Sequence, residues 1–173
     1  MITYDFLDTP IGRLGIAVSA NGLCRIELRT DEARFVSILR KTHREQPVHS
    51  APTVAEVKRQ LQEYFAGQRR HFDLIVDLEQ VTPFQRDVLI ACLRIPYGET
   101  RSYADLARAV GRPKAFRAVG MTMAANPIPI VIPCHRILRS DNGLGGYGGG
   151  LDIKQWLLHH EAAHREPASC PIE

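Results

Sequence analysis

Three prolines within seven residues place the firmest limit on how this chain can fold. The segment Pro127-Ile128-Pro129-Ile130-Val131-Ile132-Pro133 leads directly into Cys134-His135-Arg136. Proline has no backbone N–H and a fixed φ, so it excludes a regular helix here and is rarely tolerated in a central strand. The apolar residues between the prolines indicate burial. We therefore expect a buried, rigid, extended segment that holds Cys134 at one place in the fold.

A cysteine held in this way is either an inert buried thiol or a nucleophile. His135, Arg136 and the positive charge around them would favour the thiolate, which is the nucleophilic form. Neighbouring side chains on an extended backbone point to opposite sides. Cys134 and His135 therefore need a turn or a bridging water in order to exchange a proton.

Positive charge is concentrated around this segment. The formal net charge of the chain is only +3, but the stretch from Leu106 to Ser140 contains no acidic residue. Its six basic residues are Arg108, Arg112, Lys114, Arg117, Arg136 and Arg139. Such a stretch indicates an anionic partner, nucleic acid first, although a solvated basic surface would have the same composition.

Two short helices are predicted inside the basic stretch. Ser102-Tyr103-Ala104-Asp105 forms a capping box, and the helix that it starts ends at Gly111. A second helix begins near Lys114 and ends before Asn126-Pro127. A helix, a tight turn with glycine and a second helix form the helix-turn-helix pattern, with the second helix reading DNA. An ordinary helical hairpin in a core is the alternative.

The second helix has an unusual composition for a reader of the major groove. Arg117 is the only long polar side chain in its middle. Small residues surround it, namely Ala115, Ala118, Gly120, Ala124 and Ala125. Small residues allow a helix to approach another surface closely, and a single arginine is placed to insert. The composition favours binding in the minor groove.

The first part of the chain predicts a small domain with a sheet. Asn21-Gly22 between GIAVSA and LCRIELR indicates a β-hairpin. A helix is expected from Pro52 to Ala66 and a further strand over residues 73–77. Thr82-Pro83-Phe84-Gln85 then starts another helix, which we expect to run to about Ile95. We place the boundary between two domains here, giving residues 1–80 and 81–173.

The stretch HEAAH at residues 160–164 matches the zinc-hydrolase pattern HExxH. On a helix that begins near Asp152, His160 and His164 would share a face, and Glu161 could activate a metal-bound water. A third ligand is required, and no histidine follows His164. The alternative is that Glu161 lies on the inward face of this helix, while His159, His160 and His164 lie on the surface.

Composition limits the remaining classes. The apolar share of 45% is ordinary for a globular protein, and no apolar run reaches the length of a membrane span. The N-terminus lacks the pattern of a signal peptide. We expect a cytoplasmic protein that associates with the nucleoid, or a nuclear one if the source is eukaryotic. The cysteines, which we expect to be free thiols, form no CxxC pair: Cys24, Cys92, Cys134 and Cys170.

These motifs together resemble one known family. PCHR at 133–136, with NPIPI at 126–130 before it and GYGGGLDIK at 146–154 after it, is similar to the O6-alkylguanine-DNA alkyltransferases. The resemblance extends through FQR at 84–86, IPYG at 95–98, Ser102-Tyr103 and RAVG at 117–120, and it ends at Glu161. LDTPIGRLGIAV at 7–18 resembles the opening strands of the family more weakly.

The resemblance implies an α+β fold. A small ribonuclease H-like domain with a β-sheet and a helix would precede a mostly helical domain with a helix-turn-helix. It also implies direct reversal of DNA damage: the alkyl group of O6-methylguanine, and of O4-methylthymine as well, would be transferred irreversibly to Cys134. The base would first be flipped out from the minor-groove side.

The resemblance also assigns roles to residues. His135 would take the proton of Cys134 through a water, Glu161 would orient His135, and Asn126 would tie the reading helix to the active-site turn. Tyr103 would press on a phosphate and donate to guanine N3, while Arg117 would fill the gap left by the flipped nucleotide. The pocket would be completed by Met123, Ile137, Tyr147, Gly148 and Lys154, and the DNA-binding face by Ala118, Gly120, Met121 and Ala124.

We expect no metal ion and no organic cofactor. Cys24 lacks the partners through which some relatives bind zinc near the N-terminus. The expected partner is double-stranded DNA that contains O6-alkylguanine, with no membrane involved, and the protein is expected to act as a monomer. Two other functions stay open on the sequence: a minor-groove protein that binds lesions without catalysis, and a zinc hydrolase that uses HEAAH.

Overall fold

The computed structural model describes residues 1–165 and has the expected α+β class. The strands of the described chain are β1 Thr3–Thr9, β2 Gly12–Ser19, β3 Gly22–Glu27, β4 Val48–His49, β5 Arg101–Ser102 and β6 Ile137–Leu138. The helices are α1 Glu32–His43, α2 Ala51–Phe65, α3 Pro83–Leu93, α4 Tyr103–Ala109, α5 Phe116–Ala124 and α6 Leu151–Ala163.

The first half is built on a four-stranded sheet in the order β3-β2-β1-β4. The predicted hairpin is present between β2 and β3, but Ser19 pairs with Gly22, so the turn is formed by Ala20 and Asn21. Gly22 has φ +133°, and a Cβ atom at this position would lie 2.4 Å from the carbonyl oxygen of Ile75. Glycine is therefore required where the hairpin passes close to a neighbouring segment.

The predicted strand over residues 73–77 is wrong. Val76 forms only an isolated bridge with Leu23. The two backbone bonds beside it run from Leu23 N to Ile75 O (2.9 Å) and from Asp77 N to Leu23 O (2.7 Å). This segment covers the edge of β3 at one point and then leaves it, which protects the edge without adding a full strand.

Two helices cover the sheet, and α1 was not among the predicted elements. Asp31 caps α1 by accepting a hydrogen bond from the backbone N–H of Arg34 (2.9 Å), and its buried residues include Phe35 and Leu39. Helix α2 agrees with the prediction within one residue at each end. Its buried Tyr64 reaches past the sheet towards the second half of the chain.

Helices α3 and α4 begin where their caps predict, whereas α5, which has no side-chain cap, begins at Phe116, two residues after the predicted start. Thr82 and Gln85 form a capping box for α3, and Ser102 and Asp105 form one for α4. Helix α3 ends at Leu93, two residues before the predicted end. Gly111, with φ +74°, turns the chain after α4. Helices α4 and α5 pack together and form the predicted helix-turn-helix.

The proline segment is buried, as predicted, but it is not extended. Ile130 has φ +75°, and the N–H of Ile132 donates to the carbonyl of Ile128 (2.9 Å). The segment therefore folds back on itself and leads into a single 3₁₀ turn, Cys134–Arg136. This 3₁₀ turn provides the change of direction that was expected between Cys134 and His135.

The two halves share one hydrophobic core that joins residues of the sheet, α2, α3, α5 and α6. The backbone N–H of Ile26 in β3 donates to the carbonyl of Pro127 (2.9 Å), and Arg29 pairs with Asp152 (2.5 Å). The first half thus supports the proline segment directly. A domain boundary near residue 80 stays a prediction. None of the helices in the described part of the chain is long and apolar enough to cross a membrane.

Candidate active site

Cys134 begins the 3₁₀ turn and is buried. Asn126, just after helix α5, fixes the end of this helix to the proline segment that leads into Cys134. The Asn126 side-chain amide donates to the carbonyl of Ile132 (2.9 Å), and its oxygen accepts from the N–H of Ile128 (3.0 Å). These two bonds couple the position of Cys134 to the position of helix α5.

His135 forms a short, buried contact with Glu161. Its Nε2 lies 2.6 Å from Oε2 of the carboxylate. An ionised carboxylate only accepts hydrogen bonds, so Nε2 carries the hydrogen, and Nδ1 of a neutral ring has a free lone pair. Nδ1 is buried and bonds to no described residue. Burial lowers the pKa of His135 below its ordinary value, although Glu161 opposes this shift. The ring can therefore act as a base.

Glu161 is surrounded by hydrogen-bond donors. Besides His135, it accepts from the Tyr64 hydroxyl (2.6 Å), the Gly98 N–H (3.2 Å) and the Arg136 guanidinium at Nε (2.8 Å) and Nη2 (3.0 Å). Burial alone would raise the pKa of Glu161, but the bonds and charges of His135 and Arg136 lower it well below its ordinary value. Glu161 is therefore an ionised centre to which both halves of the protein are tied.

Two residues of this centre were not predicted. Tyr64 lies in the first half of the chain. Its hydrogen bond with Glu161 joins residues far apart in the sequence, so no local pattern predicts it. Arg136 was expected to favour a thiolate at Cys134. In the structure its guanidinium instead pairs with the carboxylate of Glu161, and its Nη1 also donates to the carbonyl of Ile95 (2.7 Å). It stabilises the carboxylate and does not form part of the basic surface.

The charges near Cys134 were expected to favour a thiolate, but burial outweighs them. Burial raises the pKa of the thiol, and the neighbouring Asn126, Lys154 and Tyr147 lower it by less. A protonated thiol needs a base in order to react, and the neutral ring of the adjacent His135 can supply one.

Lys154 holds the loop that follows the turn. Its buried Nζ donates to the carbonyls of Ile137 (2.6 Å), Gly146 (3.2 Å) and Leu144. An ammonium group inside the protein is costly unless its hydrogens are all bonded, so this loop is closely tied to α6. The carbonyl of Ile137 already accepts from Lys154, and one further lone pair stays available to a ligand.

A cavity of about 590 Å³ opens beside Cys134 and is called the base cavity here. Its lining includes Tyr103, Gly120, Met123, Tyr147 and Gly148, as well as Phe116 and Cys134. The Tyr147 hydroxyl is buried close to the Cys134 thiol and bonds to no other described residue. Most of the predicted substrate-binding residues are thus brought together around the thiol, while the side chains of Ile137 and Lys154 are buried and do not line the cavity.

The outer face of α5 is exposed and partly apolar. The predicted DNA-binding residues Arg117, Ala118, Met121 and Ala124 are exposed, and Gly120 is half-buried. Arg117 forms no ion pair with the described part of the chain. Phe116 is 49% exposed at the start of the helix and was not predicted as a site residue. This face is available to a partner.

The stretch HEAAH is not arranged as a zinc site. His160 was predicted on the surface, but it is buried: Nε2 lies 2.7 Å from the Tyr64 carbonyl oxygen, and the ring stacks on Trp156 at 4.7 Å. His164 Nδ1 is 2.8 Å from the His160 carbonyl oxygen. Glu161 points the other way, to His135. Residues 1–165 contain no group of three or more metal-ligating side chains placed to hold an ion.

Fold and site together define an α+β protein that holds a buried cysteine and a histidine–glutamate pair next to a helix-turn-helix. Sequence profiles identify it more closely. Residues 2–78 match the ribonuclease-like domain of 6-O-methylguanine DNA methyltransferase, and residues 83–163 match its DNA-binding domain. The chain belongs to the 6-O-methylguanine DNA methyltransferase family, and it is a DNA-repair enzyme that transfers alkyl groups.

Individual relatives are similar over nearly the whole chain. The constitutive methylated-DNA–protein-cysteine methyltransferase of Bacillus subtilis is 44% identical over 160 residues, which cover 91% of this chain and 94% of that protein. The corresponding protein of Mycolicibacterium paratuberculosis is 43% identical over 172 residues, or 99% of each chain. The structure of Mycobacterium tuberculosis OGT in complex with DNA matches with a TM-score of 0.83 at 38% identity, covering 96% of each chain.

Proposed function

We propose that the protein repairs O6-alkylguanine in double-stranded DNA by transferring the alkyl group to Cys134, irreversibly and once per molecule. O4-methylthymine, which carries its methyl group on a similar exocyclic oxygen, is a second substrate. The observation that carries the proposal is the position of Cys134, in the wall of the base cavity with the buried His135–Glu161 pair behind it. The protein acts as a monomer.

The lesion must first leave the base stack. O6 of guanine faces the pairing edge and is buried in a duplex, so extrusion of the nucleotide costs a few kcal/mol. Helix α5 presents small residues and the exposed Arg117 to the minor groove, and Arg117 occupies the space that the flipped nucleotide leaves. Tyr103, at the rim of the base cavity, presses on the neighbouring phosphate.

The chemical step is an in-line displacement at carbon. The sulfur of Cys134 forms a bond to the alkyl carbon as the bond from that carbon to O6 breaks. The thiol proton moves through a water to Nδ1 of His135, which is neutral and oriented by Glu161. Guanine leaves with the electron pair of the broken bond as an anion.

Donors around the base stabilise the leaving anion. The Tyr103 hydroxyl donates to N3, and the Tyr147 hydroxyl and the Gly148 N–H donate to O6. The carbonyls of Cys134 and Ile137 accept hydrogen bonds from the exocyclic amine, and Met123 packs against the ring. No step needs a metal ion or an organic cofactor. The product thioether has no nearby group that could cleave it, so each molecule reacts once.

The test is the mass of the intact protein after incubation with a duplex that contains a single O6-methylguanine. The mass should rise by one methyl group, and peptide mapping should place that group on Cys134. Cys134→Ala should bind the duplex without gaining mass, whereas Cys24→Ala, at a buried thiol in β3, should react like the unmodified protein. A methyl group on any other cysteine, or no gain in mass, would refute the proposal.

A further inference from the structure

Cys134 lines a second cavity besides the base cavity. This cavity, of about 310 Å³, lies between the first half of the chain and the active-site loop. The two cavities share Met123, Ala124, Cys134, Tyr147 and Gly148, so the reactive side chain stands where they meet. Only the second cavity reaches β3 and α1, and it is called the arginine cavity here because Arg25, Arg29 and Arg34 line it.

The geometry of the in-line displacement at the alkyl carbon indicates which part of the substrate such a cavity would hold. Sulfur, carbon and oxygen lie on one line in the transition state, and the other three substituents of the carbon project sideways from that line. A methyl group carries only hydrogens there. Any longer O6-alkyl chain must find room to the side of the Cys134 sulfur. The guanine ring fills the base cavity, so the arginine cavity is the adjoining space that meets the same sulfur.

The charges at the far side of this cavity are unbalanced. Glu27 is its only lining acid among the described residues, and its carboxylate is taken by Arg25 at 2.8 Å. Arg34 approaches Glu27 only to 3.9 Å, and its side chain is 64% exposed. Arg29 pairs at 2.5 Å with Asp152, which does not line the cavity. Guanidinium groups in excess favour a carboxylate, which they bind with paired hydrogen bonds.

We propose that the arginine cavity receives the far end of O6-alkyl groups longer than methyl and selects those that end in a carboxylate. This proposal rests on the proposed function, since it concerns the same transfer to Cys134. The bonds made and broken are the same as for methyl: the sulfur–carbon bond forms, the carbon–O6 bond breaks, and the carboxylate stays on the transferred chain. Arg34 and Arg29 act on specificity and take no part in the chemical step.

A matched pair of substrates isolates this effect. Duplexes that contain O6-carboxymethylguanine or the neutral, equally large O6-carbamoylmethylguanine differ in the charge of the chain end. The absolute ratio of their transfer rates also reflects the reactivity of each carbon, so the informative quantity is how this ratio changes between variants. A loss of binding to the DNA backbone would lower both rates equally and cancel in the ratio.

The variants are Arg34→Gln alone and together with Arg29→Gln. The control is Arg40→Gln, a change of the same charge on the same helix at a residue outside the cavity. The carboxymethyl-to-carbamoylmethyl ratio should fall about threefold to tenfold in the double variant, as expected for exposed ion pairs, and less in Arg34→Gln. It should stay unchanged in Arg40→Gln. Added salt should reduce the ratio of the unmodified protein towards that of the double variant.

The outcomes separate this proposal from the one on which it rests. Methyl transfer from O6-methylguanine should be the same, within about twofold, in all the variants, since a methyl group carries only hydrogens beside the sulfur and does not extend to the arginines. An unchanged ratio in the double variant, with methyl transfer intact, overturns the arginine cavity alone. Equal losses on both substrates also overturn it and assign the arginines to the DNA backbone. No methyl transfer by the unmodified protein overturns the proposed function and, with it, this inference.

Discussion

The hydroxyl of Tyr64 donates to Oε2 of Glu161, 97 residues further along the chain, over 2.6 Å. Both side chains are buried. The same oxygen of Glu161 contacts His135, so a residue of the first half and the proposed base of the second half share one acceptor atom. The orientation of His135 therefore depends on a helix that lies outside the DNA-binding half.

Loss of this hydroxyl should slow alkyl transfer. Tyr64→Phe removes a hydrogen bond to a charged acceptor and should lower the free energy of unfolding by about 1.5–3 kcal/mol. We expect transfer about threefold to tenfold slower on duplex DNA and on free O6-benzylguanine alike, since His135 is needed for both. Tyr4→Phe is the control, because it removes a similar bond to Glu32 far from the site. Equal rates in Tyr64→Phe and the unmodified protein would contradict the coupling.

Arg117 should matter for duplex DNA and not for the free base. If it fills the gap left by the flipped nucleotide, Arg117→Ala should slow repair of a duplex by roughly tenfold or more, since extrusion costs a few kcal/mol. Reaction with O6-benzylguanine needs no flipping and should be unchanged. Arg108→Ala, an exposed residue of α4 in the same basic stretch, controls for the lost charge. Parallel losses on both substrates would remove Arg117 from this role.

The transfer rate should persist below the ordinary pKa of histidine. Burial lowers the pKa of His135 from 6.5, so the neutral ring that accepts the thiol proton persists to lower pH. The rate constant with free O6-benzylguanine should therefore stay level as the pH falls from 7 to 6.5 and decline only below that. Measurement with the free base avoids the pH dependence of DNA binding. A decline centred above pH 6.5 would show that His135 is not the neutral base.

Glu161 should make stability depend on pH in the acid range. Its pKa in the folded protein lies below the ordinary value of 4.5, so its contribution is complete above 4.5 and is lost as the pH falls towards the folded pKa. Glu161→Gln leaves Arg136 buried without its carboxylate and should cost about 3–5 kcal/mol at pH 7. Urea unfolding of both proteins from pH 7 to 3 should show this difference shrinking below 4.5. A constant difference would be inconsistent with an ionised Glu161.

Changes in HEAAH should affect stability and not metal binding. His160→Ala removes a buried ring that stacks on Trp156 and bonds to the Tyr64 carbonyl, and should lower the free energy of unfolding by about 2–4 kcal/mol. His159→Ala, at an exposed position, is the control. Below the melting temperature of the variant, transfer should continue and should be insensitive to a chelator. Loss of transfer on chelation would restore the zinc interpretation.

The sequence predicted those elements that carry local signals. The capping boxes at Thr82 and Ser102 and the glycine after α4 define helix ends through bonds between near neighbours, so a short window suffices. The segment 73–77 failed for the opposite reason: its backbone meets the edge of β3 at one bridge, and whether a strand forms there depends on a distant partner. Helix α1 had a local signal in Asp31 and the spacing of Phe35 and Leu39.

The site was predictable as far as its residues lie in one motif. Cys134, His135 and Asn126 come from a single stretch, and the resemblance to a family added Glu161. Contacts between distant parts were not visible: Tyr64 on Glu161, the burial of His160, and the use of Arg136 as a partner of Glu161. The raised pKa of Cys134 was not predicted either: the segment was expected to be buried, but the balance between burial and the polar neighbours of the thiol depends on the fold.

The close approach of Leu28 to Gly149 affects which half of the chain determines substrate specificity. A Cβ atom on Gly149 would lie 2.3 Å from Cδ1 of Leu28, so a residue near the end of the first sheet shapes the loop that carries Tyr147 and Gly148. In a chimera that joins residues 1–80 of one relative to the rest of another, residues 1–80 would determine the shape of the cavity beside the cysteine. This is the half to which no catalytic role is assigned. Under the role proposed for the arginine cavity, substitutions far from the PCHR motif change the range of alkyl groups that the protein transfers.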